Sequence, residues 1–417
     1  MTCSSKVRPH PVLSLSCLKI VVSMLRTLFL SGFLALSMAV SAETPRLSAN
    51  AQISLITCGA GQQELYSAFG HSALRVRDPQ LQIDYIYNYG VFNFDQPHFY
   101  LNFARGYLYY QLGVYDARDF LMAYVRYNRS VAEQALLLSP AQKQKLFDYL
   151  EWNASPDHQT YRYDYFYNNC ATKLRDVVQE VMGDSVRFDG NHITTHYTIR
   201  ELTDQYLAQQ PWGDLGIDIC LGLPMDKLAT PWDYMFLPDY LFDGFRHAFI
   251  LTAGGWQPLA AQEHVLFQAA PEDPVFSWTH PWIVIGALSL IILLVSVRDL
   301  LRTKITTSLD FILLLATGLI GLLLLLLWLL TDHKAAAWNF NLLWALPTNL
   351  AGLYLLLRKR SVSLKKYYLG AALLTVLLLL TWYFLPQQLN LFLLPFVAAL
   401  GVRYGANAVV LSRQKAV

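Results

Sequence analysis

Hydrophobic and polar positions change their rhythm along this chain. Residues 53–57 form a short apolar strand pattern. Residues 72–77 alternate in part, Asp78-Pro79 marks a turn, and residues 83–89 alternate again, which predicts a hairpin. Residues 107–114 predict another strand and residues 116–126 a helix. Residues 140–152 predict a helix capped by Ser139, with Leu146, Phe147 and Leu150 on one face. Past Asn168 and Asn169 the period becomes helical, with Leu174, Val177, Val178 and Val181 at i, i+3, i+4 and i+7. Either asparagine serves as an N-cap, so Cys170 opens the helix. The proline-punctuated stretch from Trp212 to Phe245 has no readable rhythm.

Beyond a linker rich in proline and acid (residues 271–281), apolar runs take over at residues 282–297, 309–330, 342–357, 367–385 and 389–405. These predict about five membrane-spanning helices, the first and third short for a span of about 20 residues. Basic residues cluster after the first run (Arg298, Arg302, Lys304), the third (Arg358, Lys359, Arg360, Lys365, Lys366) and the fifth (Arg403, Arg413, Lys415). The basic loops face the cytoplasm, so the polar N-terminal domain lies on the other side. An independent signal agrees. Residues 28–42 follow Arg26, are apolar and end in small residues, the pattern of a secretory signal peptide cleaved after Ala42. The alternative is an uncleaved anchor. Met24 makes an ordinary start, which leaves residues 1–23 as an untranslated extension. The expected organisation is therefore a signal peptide (1–42), an exported domain (43–262), a linker (263–281), a helical membrane domain (282–405) and a cytoplasmic tail (406–417).

Composition adds little to this picture except by exclusion. A net charge of +2 over 417 residues gives no footprint for nucleic acid. Outside the targeting segment three cysteines remain, Cys58, Cys170 and Cys220, and an odd number leaves at least one thiol unpaired. A Cys58–Cys220 disulfide would leave Cys170 free.

Cys170 in a first helical turn meets unpaired backbone N–H groups and the positive end of the helix dipole, both of which favour a thiolate. The plainer alternative is a buried structural thiol. A nucleophilic thiol needs a base, and His71, at the head of the first hairpin strand, is the best placed of the ten histidines. The return strand brings Tyr87, Asn88 and Tyr89 back toward it. Asn88 is the expected orienter of the imidazole, with Asp84 second. His98, His158, His192 and His196 lack such a setting. No close His or Cys spacing suggests zinc, and neither a phosphate-binding glycine loop nor a serine elbow occurs. The chemistry is thiol chemistry or none, with no metal and no cofactor. The loop DHKAAAWNFNLLWALPTN faces the same compartment as Cys170. Its tryptophans suit interfacial anchors; its Asn339 and Asn341 suit instead a site for lipid headgroups.

His before Cys, with His opening a strand and Cys opening a helix after an Asn, resembles the circularly permuted papain-like thiol enzymes. That broad group includes lecithin:retinol acyltransferase and NlpC-type peptidases. More closely, TCGAGQQELYSAFGHSALRVRD, IDYIYNYGVFNFD, YFYNNCATKLRD and MFLPDYL resemble the periplasmic domain of the Bacteroides-type lipoprotein N-acyltransferase family, Lnb. The similarity covers residues 50–245, and the multi-span region is alike in layout. The resemblance implies an α+β fold: a circularly permuted papain-like periplasmic domain followed by an all-α bundle of about five transmembrane helices, in a bacterial inner membrane. It also implies that Cys170 takes an acyl chain from a phospholipid and passes it to the N-terminal amine of a diacylglyceryl-cysteine lipoprotein, with His71 moving the protons. Asn169 and Tyr167, beside the thiol, are the expected substrate-binding residues together with Asn339 and Asn341. The aromatic run of residues 92–115 is a candidate acyl-facing wall. The rivals are a thiol hydrolase of the same fold acting on peptidoglycan peptides or lipids, and a non-catalytic membrane-anchored interaction protein.

Overall fold

The computed structural model describes residues 44–271 and 277–414. The expected signal peptide lies outside the described residues. The N-terminal part opens with β1 (Gln52–Cys58), β2 (His71–Asp78), β3 (Ile83–Phe92), α1 (Phe99–Arg105), β4 (Tyr109–Asp116), α2 (Ala117–Arg126), β5 (Val131–Ala135), α3 (Pro140–Ala154), β6 (Thr160–Arg162) and α4 (Cys170–Met182). There follow β7 (Val186–Arg187), α5 (Ile199–Leu207), α6 (Pro211–Cys220), α7 (Pro231–Tyr234), α8 (Pro238–Arg246), β8 (Phe249–Thr252), β9 (Gly255–Pro258) and β10 (His264–Phe267).

The expected hairpin is β2–β3, and it lies near the middle of an antiparallel sheet in the order β10-β5-β1-β2-β3-β4-β6. Both faces of this sheet are covered, which is why β1 reads as a nearly continuous apolar run. On one face Leu55, Leu74, Tyr87 and Leu112 pack against Leu146, Phe147 and Leu150 of α3 and Leu174, Val177 and Val178 of α4. On the other, Ile56, Cys58, Ala73 and Ile86 meet Ala117, Phe120 and Tyr124 of α2. Capping chemistry sets the helix starts. Ser139 and Gln142 form a reciprocal box at α3, and Asp116 accepts from the first amides of α2. The stretch without rhythm holds α6, α7 and α8, each with proline in its first turn. That position tolerates proline because its missing N–H would be unpaired anyway.

Two expected boundaries shift. The linker was expected from residue 263, yet β10 pairs with β5 and adds an edge to the main sheet. In the membrane domain the helices are α9 (Pro281–Arg302), α10 (Thr307–Leu330), α11 (Asn349–Leu357), α12 (Ser361–Thr381) and α13 (Leu394–Arg413), so the last continues well into the expected tail. Among the described residues four helices are long and apolar enough to cross a membrane: α9, α10, and the helices from Ser361 and Leu391. The third apolar run is the exception. It begins with a 3-10 turn, Phe340–Leu343, and becomes α-helical only at Asn349. Pro347 lacks the N–H that a continuous helix needs. The Asn341 side chain is also taken up elsewhere, by the Asp218 carbonyl and Trp344. Nine residues at 1.5 Å each make α11 about 14 Å long, half of a bilayer core.

A buried ionic knot ties the cytoplasmic ends of three helices. Arg403 of α13 binds Asp310 of α10 at 2.7 Å and Asp299 of α9 at 2.9 Å, and Asn407 donates to Asp310 at 2.7 Å. At the opposite end polar side chains join the two domains. Asn390 donates to Asp214 and Asp218 of α6, at 2.8 and 2.9 Å, Gln387 to the Leu221 carbonyl at 3.1 Å, and Gly222 N–H to the Ala335 carbonyl at 2.8 Å. The N-terminal domain is bound to the bundle by specific bonds as well as by the chain.

Candidate active site

Asn169 starts the helix that carries Cys170. Its Oδ1 accepts from the backbone N–H groups of Ala171 and Thr172, both at 2.9 Å, and the Thr172 hydroxyl accepts from the Asn169 N–H at 2.8 Å. Its Nδ2 donates to the carbonyls of Tyr165 and Phe236 at 2.9 and 2.8 Å. Every polar group of this side chain is spent on holding the helix start against α8's approach segment. It therefore positions the thiol, in place of the substrate contact expected for it.

Cys170 reaches the sheet where the sheet is open. The β2–β3 ladder runs from Asp78↔Ile83 to Leu74↔Tyr87 and stops there, leaving His71 to Ala73 unpaired on that side. On β3 the register with β4 slips between Tyr89 and Val91. Gly90, at the slip, has φ +95°, and a Cβ there would lie 3.4 Å from the Cys170 Cβ. A larger residue would be strained and would crowd the thiol. In the gap the backbone N–H groups of Ser72 and Ala171 lie beside the Cys170 thiol and help to lower its pKa.

His71 and Asn88 meet as neighbours on one face. Continuing the register sets Asn88 across from Ala73 and diagonal to His71, and His71 Nε2 lies 2.5 Å from Asn88 Oδ1. An amide oxygen only accepts, so Nε2 carries a proton, and Nδ1 is the nitrogen left to face the thiol. The imidazole and the Cys170 thiol face each other closely enough that each shifts the other's pKa. Burial alone would push the thiol's pKa up. The charge on His71, its hydrogen bond and the two backbone amides outweigh burial and bring it below the usual value. Burial alone would likewise lower His71, but the Cys170 charge and the bonds from Cys170 and Asn88 raise it. Opposite shifts of this kind favour the thiolate and the imidazolium.

Around the pair stand groups to which the sequence reading gave no place in the site. Tyr124 of α2 stacks on His71 with centroids 6.3 Å apart and planes 11° from parallel. The Arg129 guanidinium lies 4.6 Å over the Tyr124 ring, with Nε donating to the Gly59 carbonyl at 2.9 Å, and its charge opposes the rise at His71. Cys58, paired directly across from His71 in the β1–β2 ladder, is buried, and its thiol is pushed up to about 12. No periodicity or spacing links residues 58, 124 and 129, so only the fold assembles them.

The other expected residues fall elsewhere. Asp84 is bound to Arg75 at 2.7 Å, toward the far end of the hairpin from Asn88. Tyr167 is exposed, with the Lys227 ammonium 5.9 Å over its ring. Asn339 and Asn341 are buried and donate to the carbonyls of Ile219 and Asp218, both at 2.8 Å. They dock the membrane domain onto α6, and the expected headgroup role gives way to that one. Cys58, Cys170 and Cys220 are all free thiols, so the Cys58–Cys220 disulfide is absent. Asp204, Asp214 and Asp218 bring carboxylate oxygens within 4.8 Å of one another. The Arg200 guanidinium already occupies that cluster through Asp218, and burial pushes Asp204 up to about 8, which favours its protonated form. The cluster reads as part of the joint between the domains.

Family profiles match the chain on either side of this joint. The Lnb N-terminal periplasmic domain matches residues 47–205, and the Lnb transmembrane domain matches residues 273–415. The chain belongs to the Lnb family. It is a multi-pass inner-membrane protein whose N-terminal domain lies in the periplasm. Membership in Lnb, with both domains present, supports a membrane-anchored lipoprotein-modifying enzyme. No curated protein and no solved structure matches the chain. Cys170, His71 and Asn88 all fall inside the match to the Lnb periplasmic domain.

Proposed function

We propose that this protein is a cysteine acyltransferase that moves one fatty acyl chain from a phospholipid to the N-terminal amine of a diacylglyceryl-cysteine lipoprotein. The observation that carries the reading is the Cys170–His71 pair, whose members shift each other's pKa, with His71 braced by Asn88, in a domain bound to a membrane bundle. The Cys170 thiolate attacks the carbonyl carbon of the ester. Negative charge develops on the carbonyl oxygen beside the Ser72 N–H group, which supplies a donor of the kind an oxyanion needs. As the tetrahedral adduct collapses, the C–O bond breaks and the His71 imidazolium gives its proton to the departing lysophospholipid oxygen. An acyl thioester remains on Cys170, and His71 is neutral.

The lipoprotein amine then attacks the thioester carbon. His71 takes the amine's proton, the C–S bond breaks, and the thiolate–imidazolium pair is restored. Thioester to amide runs downhill, so the cycle needs no nucleotide. Both substrates are anchored in the bilayer, which gives the bundle its purpose: it holds Cys170 near the surface where both are found. The apolar segment that ends at Ala42 then serves as the signal peptide that exports the domain.

Reconstitution with a diacyl lipopeptide in phospholipid vesicles tests this reading. The intact protein should add one acyl group to the lipopeptide amine, as read by mass and fragmentation, and Cys170→Ala should add none. Released fatty acid without transfer would sink the acceptor assignment and indicate a lipid hydrolase. Cleaved peptidoglycan peptide would indicate the peptidase rival, and equal behaviour of the two proteins a scaffold.

A further inference from the structure

Helix α1 (Phe99–Arg105) buries none of its residues. Tyr100 is 77% exposed, Leu101 55% and Phe103 43%, and Phe94, just before the helix, is 58% exposed. Seven residues are too few for a helix to persist alone in water, and an apolar cluster of this kind marks a contact surface. The bonds at its C-terminal end show where it sits. The Asp332 N–H donates to the Arg105 carbonyl at 2.8 Å, and His333 Nε2 bonds the Phe103 carbonyl at 3.1 Å. Arg162 pairs with Asp332 beside them. Gly106, at φ +81°, lets the two segments touch, since a Cβ there would lie 2.8 Å from the Asp332 carbonyl carbon and the His333 nitrogen. Asp332 and His333 directly follow the spanning helix α10, which ends at Leu330, itself 73% exposed. Helix α1 is therefore pinned where the apolar span ends and the headgroup layer begins. Aromatic side chains favour that depth.

A row of rings leads from this helix back to the thiol. Phe103 and Phe99 lie 6.2 Å apart, Phe99 and Phe94 4.8 Å, Phe94 and Phe92 4.9 Å, Phe92 and Tyr110 5.7 Å, and Tyr110 and Tyr163 4.3 Å. Tyr163 closes the row at Gly90, where a Cβ would lie 3.7 Å from its ring and 3.4 Å from Cys170.

We infer that α1 and Phe94 form a membrane-dipping element whose partner is the periplasmic leaflet of the bilayer, and that the ring row is the path by which an acyl chain from that leaflet reaches Cys170. The second half of this statement rests on the acyltransferase reading. The first half does not. Continuity with α10 selects a lipid surface as the partner, because a helix bonded to the end of a span cannot be lifted clear of the membrane that the span crosses.

Photocrosslinking of the full chain in nanodiscs of phosphatidylethanolamine and phosphatidylglycerol tests the contact without using activity. Benzoylphenylalanine is placed at Tyr100 and, as the reference, at Tyr85, an exposed tyrosine on the same strand as Phe92 but roughly 23 Å further along it at 3.3 Å per residue. Cys170 alkylation confirms that each variant is folded. Protein–phospholipid adducts at position 100 in at least tenfold excess over position 85 are expected. Equal yields at the two positions, or no adduct at 100, would overturn the inference. Adducts at 100 in a protein that fails to transfer acyl groups would keep the membrane contact and reject the acyl path together with the acyltransferase reading.

Discussion

Replacing Asn88 by alanine probes the charge state of the pair. Asn88 Oδ1 accepts at 2.5 Å from His71 Nε2 and so stabilises the imidazolium. A hydrogen bond to a charged group is worth about 1.5–3 kcal/mol. Nε2 donates to Asn88 from the neutral ring as well, where the bond is worth about 0.5–1.5 kcal/mol, so its loss removes only the difference of about 1–1.5 kcal/mol from the imidazolium and should lower the His71 pKa. The reactive thiolate–imidazolium form exists above the lowered pKa of Cys170 and below the raised pKa of His71, which makes the pH–rate profile bell-shaped. Asn88 bonds the charged ring on both sides of the thiol's own ionisation, so the acid limb should stay in place. The alkaline limb should move to lower pH, and the ion pair should lose about 5- to 10-fold against the neutral pair. Both are read from acyl-transfer rates between about pH 5 and 10 with vesicle phospholipid and lipopeptide. An alkaline limb that stays where it is in Asn88→Ala would refute the role given to Asn88 and the ion-pair description with it.

Removing the cap with Asn169→Ala should cost about 1–2 kcal/mol of stability in denaturant unfolding of the full chain, and should slow Cys170 alkylation at neutral pH as the helix start loosens. Iodoacetamide should mark Cys170 ahead of Cys58, whose thiol burial has pushed up to about 12, and ahead of Cys220, which burial also raises; peptide mass mapping reads the order. Arg403→Leu leaves Asp299 and Asp310 buried without their cation and should destabilise the bundle by on the order of 3–5 kcal/mol, seen as a lower thermal aggregation midpoint in detergent; adding Asp310→Asn should recover part of the loss. Asp204 is raised in the folded chain to about 8, so its contribution is fully present below the unfolded value of 3.8 and is lost as pH rises toward 8. Asp204→Asn should therefore raise the melting temperature more at pH 8 than at pH 5, and an equal rise at both would contradict the shift.

What the sequence made legible follows from local rules. The hairpin, the capped helices and the placing of Cys170 at a helix start each depend on neighbours a few residues away. His71 and Asn88 were legible for the same reason, since one hairpin register relates them. Tyr124 and Arg129 were not, because they arrive from α2 and the turn after it, by way of packing on the far face of the sheet. The broken third span was half visible in Pro347. Its other cause, the reach of Asn341 to α6, is a contact across 123 residues. Asn339 and Asn341 drew attention as polar groups at membrane depth, and polar groups there are costly enough to need partners. Sequence could not say that those partners were carbonyls of the neighbouring domain rather than a lipid.

The central claim is that Cys170 carries the acyl chain, and the most direct test is to catch it there. Incubating the full-length protein with phospholipid vesicles and no acceptor, then measuring the mass of the peptide that contains Cys170, should show one added acyl chain that hydroxylamine removes. Adding lipopeptide should empty the site as the acylated product appears. A Cys170 peptide that stays unmodified while lipopeptide is acylated at full rate would contradict the account, because the chain would then pass from donor to acceptor without the thioester.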